Sequence, residues 1–240
     1  MHDISGNDAR SSSPPREPMF NKPAVVLALA GICIVIHLVR MFLLGPSADL
    51  LVVLNFGFMP LRFTSGYPLD LYALASPVTY AFLHGGVAHL LINMIWLFAF
   101  GSPLANRLGA LRFLLLWLVT AFAAVLLHFV LHPFDAAPLI GASGAISGMM
   151  GAAARFAFRS ARIGGKPFFI GPVLPLGEVF RSRMTVTFLV IWFVINLAVG
   201  LGFGATPGAP RIAWEAHIGG FLAGFFLIRF FERKMTPDNL

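Results

Sequence analysis

The chain has little charge and almost no cysteine. Charged residues make up 11% of its 240 residues and hydrophobic residues 58%, and the single cysteine is Cys33. One cysteine excludes an internal disulfide and a metal cluster built from thiolates. So few charges, together with a mean hydropathy of +0.83, exclude an ordinary soluble domain and predict a polytopic membrane protein.

Long apolar runs alternate with short polar segments along the chain. We predict an all-α membrane protein, a bundle of six transmembrane helices over residues 24–44, 82–100, 111–131, 143–158, 184–202 and 213–231. The segment between the first two runs is too interrupted to span and is expected in the outer interface. Residues 1–22 predict a disordered cytoplasmic tail, residues 23–235 the six-helix domain, and residues 236–240 a short C-terminal tail.

The distribution of basic residues predicts the orientation of this bundle. With both termini in the cytoplasm, fourteen of the 17 lysines and arginines lie on the cytoplasmic side. Only Arg40, Arg62 and Arg211 then lie outside. The basic residues are scattered between apolar runs and form no stripe with interleaved aromatics, so the net charge of +7 does not indicate nucleic-acid binding.

Two predicted helices carry small residues at every fourth position, which lets two backbones approach closely. These residues are Gly144, Gly148 and Ala152 in the fourth run and Gly220 and Gly224 in the sixth. Ser143 opens the fourth run within a glycine-rich stretch, and His217 lies one turn before Gly220. Ser143 and His217 each precede an arginine by twelve residues, about 18 Å of helix, which predicts equal depth in the membrane. We therefore predict that the two helices touch and that His217 activates Ser143.

The second run adds His89 and Asn93, which are four residues apart and share one helix face. Ionisable residues at this depth are costly and mark function by default. The second to fifth runs contain no Asp or Glu, and Glu215 is two residues from His217 and so points elsewhere. The pattern predicts a Ser-His dyad, with the Ser143 backbone N–H, the Asn93 amide and the His89 ring as donors to an oxyanion.

The fourth run is short for a membrane span. Its sixteen residues extend about 24 Å as a helix, whereas the hydrocarbon core is about 30 Å thick. The N-terminus of this helix is therefore expected below the outer surface, in a cavity that admits water. Irregular backbone such as the glycine-rich stretch before Ser143 is tolerated at this depth only beside such a cavity.

At these residues the chain resembles the rhomboid family of intramembrane serine proteases. The matching segments are HGGVAHLLIN at 84–93, FG at 100–101 with RLG at 107–109, GASGA at 141–145 and AHIGG at 216–220. The resemblance implies Ser143 as nucleophile, His217 as general base and acid, and Asn93 and His89 as oxyanion stabilisers. It also implies cleavage of transmembrane segments of other membrane proteins without metal or cofactor. We expect the chain in a bacterial inner (plasma) membrane.

Two other classes of function are weighed against this one. An inactive rhomboid-like binding protein typically lacks the serine or the histidine, and both are present here. A proton-coupled transporter using His89, His217 and Asn196 as a relay would be expected to have inverted repeats and buried carboxylates, which we do not find in the sequence. In the fifth run we interpret Trp192 and Phe193 as lipid-facing aromatics.

Overall fold

The structure, a computed structural model, describes residues 22–66, 68–203 and 212–232. Residues 236–240 and the predicted tail, apart from Lys22, lie outside this range. Most described residues are helical. The elements are α1 (Ala24–Phe42), α2 (Pro46–Phe56), α3 (Leu61–Thr64), α4 (Leu71–Thr79), α5 (Val87–Trp96), α6 (Ser102–Leu108), α7 (Ala110–Leu131), α8 (Ser143–Ala154), β1 (Ser160–Ile163), β2 (Lys166–Phe169), α9 (Leu176–Val179), α10 (Arg183–Gly200) and α11 (Trp214–Phe231).

Four helical segments in the described part of the chain are long and apolar enough to cross a membrane. They are Ala24–Phe42, Val87–Leu108, Ala110–Leu131 and Arg183–Gly200. The fourth and sixth predicted spans form α8, with 12 residues, and α11, which carries the charged residues Glu215 and Arg229. The count of six spans therefore stays a prediction.

The second span differs from its predicted bounds of 82–100. The helix begins only at Val87, because Tyr80–Phe82 forms a separate 3-10 turn, and it continues past Gly101 to Leu108. Pro103 does not end this helical segment, because one π-helical turn, Leu97–Gly101, precedes α6 and leaves Pro103 in the first turn of that helix. A proline costs no hydrogen bond there, because N–H groups in a first turn have no helical partner.

Helix α8 forms the centre of the bundle. Every residue after Ser143 in this helix is buried. A Cβ atom on Gly220 of α11 would lie 2.0 Å from the carbonyl oxygen of Gly144, and one on Gly224 would lie 1.8 Å from that of Gly148. Only glycine permits this approach, so the predicted contact between the two small-residue helices is present.

The small face of α8 also contacts a helix that the sequence did not indicate. A Cβ atom on Gly144 would lie 2.6 Å from the Cβ of Ala124, and one on Gly148 would lie 2.4 Å from the Cβ of Thr120. Both neighbours belong to α7. The glycines of α8 therefore admit α7 on one side, while their carbonyl groups meet the glycines of α11.

The end of the bundle that the charge pattern predicts to be cytoplasmic contains the one β-sheet among the described residues. Strands β1 and β2 form a short antiparallel hairpin. Helix α8 ends at Ala154 rather than at residue 158, and Ala157 and Phe158 adopt positive φ angles of 50° and 54° that no helix continues. Arg155, which directly follows α8, is buried and donates to the carbonyl groups of Phe225 and Leu174.

Short helices α2, α3 and α4 form the segment that was expected in the outer interface. Arg62 of α3 donates to the carbonyl groups of Leu54 and Asn55 and pairs with Asp70 at 2.7 Å. Phe58 forms an isolated antiparallel bridge with Leu139, in the connection that leads to α8. This segment is thereby tied to the chain immediately before Ser143.

Candidate active site

Ser143 lies at the first residue of α8, where a tight connection enters the helix. Gly141, two residues earlier, has a φ angle of +129°, which favours glycine, and its N–H donates to the carbonyl of Tyr80 at 2.9 Å. A Cβ atom on Gly141 would lie 2.8 Å from Nε2 of His89 and 3.6 Å from Oγ of Ser143. The missing side chain therefore leaves a small space that Ser143 and His89 flank.

His217, in the first turns of α11, lies directly against the serine. Its Nε2 is 2.8 Å from Oγ of Ser143, and both residues are half-buried. This short distance depends on the close approach of α8 and α11 at Gly144 and Gly220. A hydrogen bond of this length between a hydroxyl and an imidazole is the arrangement that nucleophilic catalysis by serine requires.

Asn196 of α10 completes a chain of three side chains that the sequence analysis did not predict. Its Oδ1 lies 2.6 Å from Nδ1 of His217, and its Nδ2 donates to the carbonyl of Trp192 at 2.7 Å. The bond to Trp192 fixes which amide atom faces the histidine. Since an amide oxygen can only accept, Nδ1 of His217 carries the proton and Nε2 is free to accept one from Ser143.

The interpretation of the fifth span therefore needs correction. Trp192 is half-buried and stacks on Phe221 of α11 with ring centroids 4.6 Å apart, whereas Phe193 is 47% exposed and fits the expected lipid-facing position. Asn196 is the only amide side chain in this apolar run. A polar side chain at membrane depth indicates an interhelical partner, and that signal pointed to Asn196.

His89 lies beside the serine loop with a defined orientation. Its Nδ1 accepts a hydrogen bond from the backbone N–H of Gly85 at 3.3 Å, so the ring proton is on Nε2, the atom close to Gly141. The ring of His84 packs against it with centroids 5.2 Å apart. Nε2 of His89 is thus a donor that faces the space beside Ser143.

Asn93 is buried one turn further along α5. Its Nδ2 donates to the carbonyl of His89 at 2.9 Å, which uses one of its two amide protons. The second proton remains available as a donor. The structure therefore links Asn93 to His89 through the helix, and brings Ser143, His217 and His89 to one place.

A second polar cluster lies near the start of α11. As predicted, Glu215 does not contact His217. Its Oε1 lies 3.2 Å from Nδ1 of His128 and 2.8 Å from Nε2 of His132. Among the described residues, these three form the group of side chains that could hold a metal ion.

Comparison with known proteins assigns the chain that carries this site to a family. The sequence model of the Rhomboid domain matches residues 73–234. The chain belongs to the rhomboid family. The matched region contains Ser143 and His217, as well as Asn93, His89 and Asn196.

Individual rhomboid relatives are similar over about two thirds of the chain. RHOMBOID-like protein 4 of Arabidopsis thaliana is 33% identical over 150 residues, which cover 60% of this chain and 31% of that protein. Rhomboid protease GluP of Bacillus subtilis is 31% identical over 155 residues, 65% of this chain and 25% of that protein. Rhomboid protease GlpG of Serratia proteamaculans is 26% identical over 162 residues, 68% of this chain and 49% of that protein.

The rhomboid match covers less than half the length of each of these relatives. The two bacterial relatives are named as proteases, and that activity is a property of those proteins. Family membership and the four apolar helices together make this chain an integral membrane protein.

Proposed function

We propose that the chain is an intramembrane serine endopeptidase that hydrolyses peptide bonds in or near transmembrane segments of other membrane proteins. The observation that carries this proposal is the 2.8 Å contact between Oγ of Ser143 and Nε2 of His217. Membership of a family that includes proteins named as proteases supports it further. The substrates are proposed to be single helices that reach the site from the surrounding lipid.

The first chemical step is attack by Ser143. Its Oγ forms a bond with the carbonyl carbon of the substrate, its proton passes to Nε2 of His217, and the carbonyl electron pair moves to the oxygen. Asn196 accepts a hydrogen bond from Nδ1 of His217, which holds the ring in the tautomer that makes this transfer possible. Asn196 is a positioning residue, because it acts through the histidine.

The negative charge that develops on the carbonyl oxygen needs donors that are already in place. The backbone N–H of Ser143 lies in the first turn of α8, where N–H groups have no helical partner and the helix dipole is positive. Nε2–H of His89 and the free amide proton of Asn93 are the other proposed donors. All three donors come from the N-terminal turn of α8 or from one face of α5.

The second stage releases the products. The carbon–nitrogen bond breaks as His217 returns its proton to the leaving amine, and this leaves an ester on Ser143. A water molecule then attacks the ester and gives a proton to His217, and Oγ is released with that proton. The 12 residues of α8 extend only about 18 Å, less than the roughly 30 Å hydrocarbon core, so Ser143 begins below the outer surface where a cavity admits water.

The proposal includes a location. In the proposed topology, α8 and α11 join the four apolar helices as six spans of a bacterial inner membrane, with both termini on its cytoplasmic side. Ser143 and His217 then lie in the outer half of the bilayer, and no catalytic step uses a metal or cofactor.

The deciding experiment compares wild type with Ser143→Ala on a reporter that contains one transmembrane helix. We expect loss of cleavage by at least about 100-fold, because the nucleophile is absent. The purified variant should keep the melting temperature of the wild type. Cleavage at an unchanged rate would remove Ser143 from its proposed role.

A covalent probe tests the Ser143–His217 pair separately from any substrate. A fluorophosphonate should label wild type at Ser143, and should label neither Ser143→Ala nor His217→Ala. Ser147→Ala is the matched control, since Ser147 lies one turn along the same helix and is buried. Equal labelling of His217→Ala and wild type would contradict the proposed activation.

A further inference from the structure

A cluster of two histidines and one glutamate joins the outer end of α7 to the start of α11, and the proposed hydrolysis does not use it. We call His128, His132 and Glu215 the outer histidine cluster. His128 lies in the last turn of α7, His132 follows that helix directly, and Glu215 lies in the first turn of α11. His128 and His132 are four residues apart, so one helical face presents both rings.

The spacing of the three side chains matches a tetrahedral metal site. One ligand atom from each residue lies within 4.8 Å of the other two, and Oε1 of Glu215 is 3.2 Å from His128 and 2.8 Å from His132. Zinc bonds of about 2.0–2.2 Å in tetrahedral geometry separate ligand atoms by roughly 3.3–3.6 Å. The two separations from Oε1 are slightly shorter than this range, so the side chains would rotate apart to admit an ion.

The hydrogen bonds within the cluster leave one buried atom unsatisfied. Both histidines approach the same oxygen of Glu215, Oε1. The other oxygen, Oε2, has no hydrogen-bond partner among the described residues, although the glutamate side chain is only 7% exposed. An unpartnered buried carboxylate oxygen is costly, and a cation coordinated by both oxygens would remove that cost.

The surroundings provide a path for an ion and an outer partner for one ligand. The side chain of His132 is 45% exposed, whereas that of His128 is 5% exposed, so the cluster opens on one side only. Asp135 lies 4.0 Å from Nε2 of His128, the nitrogen that does not face Glu215. Carboxylates placed behind a ligating histidine commonly orient its ring.

From this geometry we propose that the outer histidine cluster binds a zinc-class divalent cation. Two imidazole nitrogens and one carboxylate favour Zn²⁺, whereas Mg²⁺ and Ca²⁺ prefer oxygen ligands alone. The ion would replace the protons that His128 and His132 share with Glu215. It would fasten the first turn of α11 to the end of α7, two residues from His217 but without contact to it.

The test measures metal binding to the full-length protein in detergent after treatment with a chelator. Calorimetric titration with Zn²⁺ should give one site in wild type, and Co²⁺ should give the visible absorption of a tetrahedral ion. His132→Ala and Glu215→Gln should each weaken Zn²⁺ binding by more than about 10-fold, since each removes a ligand rather than an outer partner. Zn²⁺ should also raise the melting temperature of wild type and leave that of both variants unchanged.

Two controls separate this site from others in the chain. Glu178→Gln changes an exposed acid on α9 and should bind Zn²⁺ as wild type does. His217→Ala should also retain binding, which excludes the Ser143 site as the source of the signal. Absence of Zn²⁺ binding in wild type, or equal binding in His132→Ala, would overturn the proposal. If Glu215→Gln fails to fold, the result for His132→Ala decides, because the exposed side chain of His132 is dispensable for packing.

Discussion

At the scale of single residues, the proton on His217 is fixed by a neighbour that carries no charge. Asn196 holds Nδ1 of His217 at 2.6 Å, and its own amide is held by the carbonyl of Trp192. No Asp or Glu of the described residues contacts this histidine. A neutral acceptor avoids the cost of burying a carboxylate at membrane depth and still selects the required tautomer.

This arrangement predicts a graded response at position 196. Asn196→Ala removes one neutral hydrogen bond to His217, worth about 0.5–1.5 kcal/mol, so kcat should fall by about 2- to 10-fold. Asn196→Gln keeps a neutral amide that can accept from His217 and donate to a carbonyl, and should retain more activity than Asn196→Ala. The measurement is kcat on the reporter helix together with the rate of fluorophosphonate labelling.

The matched control for position 196 is Asn106→Ala. Asn106 also donates one amide hydrogen bond to a carbonyl, that of Pro167, but it lies beside the β hairpin. Asn106→Ala should leave both kcat on the reporter helix and the rate of fluorophosphonate labelling unchanged. If Asn196→Gln were as slow as Asn196→Ala, the role of an oriented acceptor would be wrong, and a loss of packing would explain both variants.

At the scale of elements, the site exists because two helices touch at glycine. The carbonyl of Gly144 lies where a Cβ atom of residue 220 would be, at 2.0 Å. One added methyl group therefore has to push α11 away from α8. Ser143 directly precedes Gly144, and His217 lies one turn before Gly220 on the facing helix, so the added group acts directly on their separation.

Gly220→Ala should consequently lower both stability and cleavage. Overpacking of a filled interior costs about 1–3 kcal/mol, and separation of Nε2 from Oγ removes the hydrogen bond that we propose activates the serine. We expect a lower melting temperature and a loss of labelling at Ser143.

Gly31→Ala adds the same methyl group to α1, where a Cβ atom would meet no described atom within 4 Å. It should behave as wild type. Normal labelling of Gly220→Ala would contradict the close approach of α8 and α11.

The sequence predicted this contact but missed other elements, for physical reasons. Small residues at a four-residue period in an apolar helix mainly allow another helix to approach closely. Gly220 and Gly224 were therefore readily interpreted as a helix contact. The second span was predicted to end at residue 100, because the π-helical turn that carries it past Pro103 is set by packing, not by local propensity. The strands of the β hairpin after Arg159 have only four residues each, and a pattern of four residues cannot be distinguished from a loop.

The sequence predicted those site residues for which the chemistry of the side chain and its depth in the membrane pointed to the same place. Ser143, His217 and His89 are polar residues at one level on helices with clear periodicity. Asn196 was missed because an apolar run with aromatics looks the same whether it faces lipid or one neighbouring helix. Only tertiary packing, through Trp192 against Phe221, turns its amide toward His217.

At the scale of the whole molecule, α10 is the helix least embedded in the bundle. Thr185 is its one buried residue, whereas α8 is buried throughout. Large apolar side chains on α10, among them Ile191, Val194 and Ile195, are more than half exposed. This helix therefore presents most of its surface to lipid, and its contacts with α11 include the pairs formed by Asn196 and Trp192.

The orientation of the bundle gives the last prediction. The connection from α7 to α8 contains no Lys or Arg, while the hairpin region after α8 contains Arg159, Arg162 and Lys166. Positive segments stay on the cytoplasmic side, so residue 136 should lie outside and residue 166 inside. Cys33 is fully buried and is the only cysteine, which leaves a low background for thiol labelling.

Single cysteines test this directly in bacterial spheroplasts. An impermeant maleimide should label Ala136→Cys in intact spheroplasts, and Lys166→Cys only after permeabilisation, since both positions are exposed. Labelling in the reverse order would place both termini outside, and Ser143 would then open toward the cytoplasm. The proposed water-filled cavity and the proposed approach of substrate helices to Ser143 would then have to lie on that side.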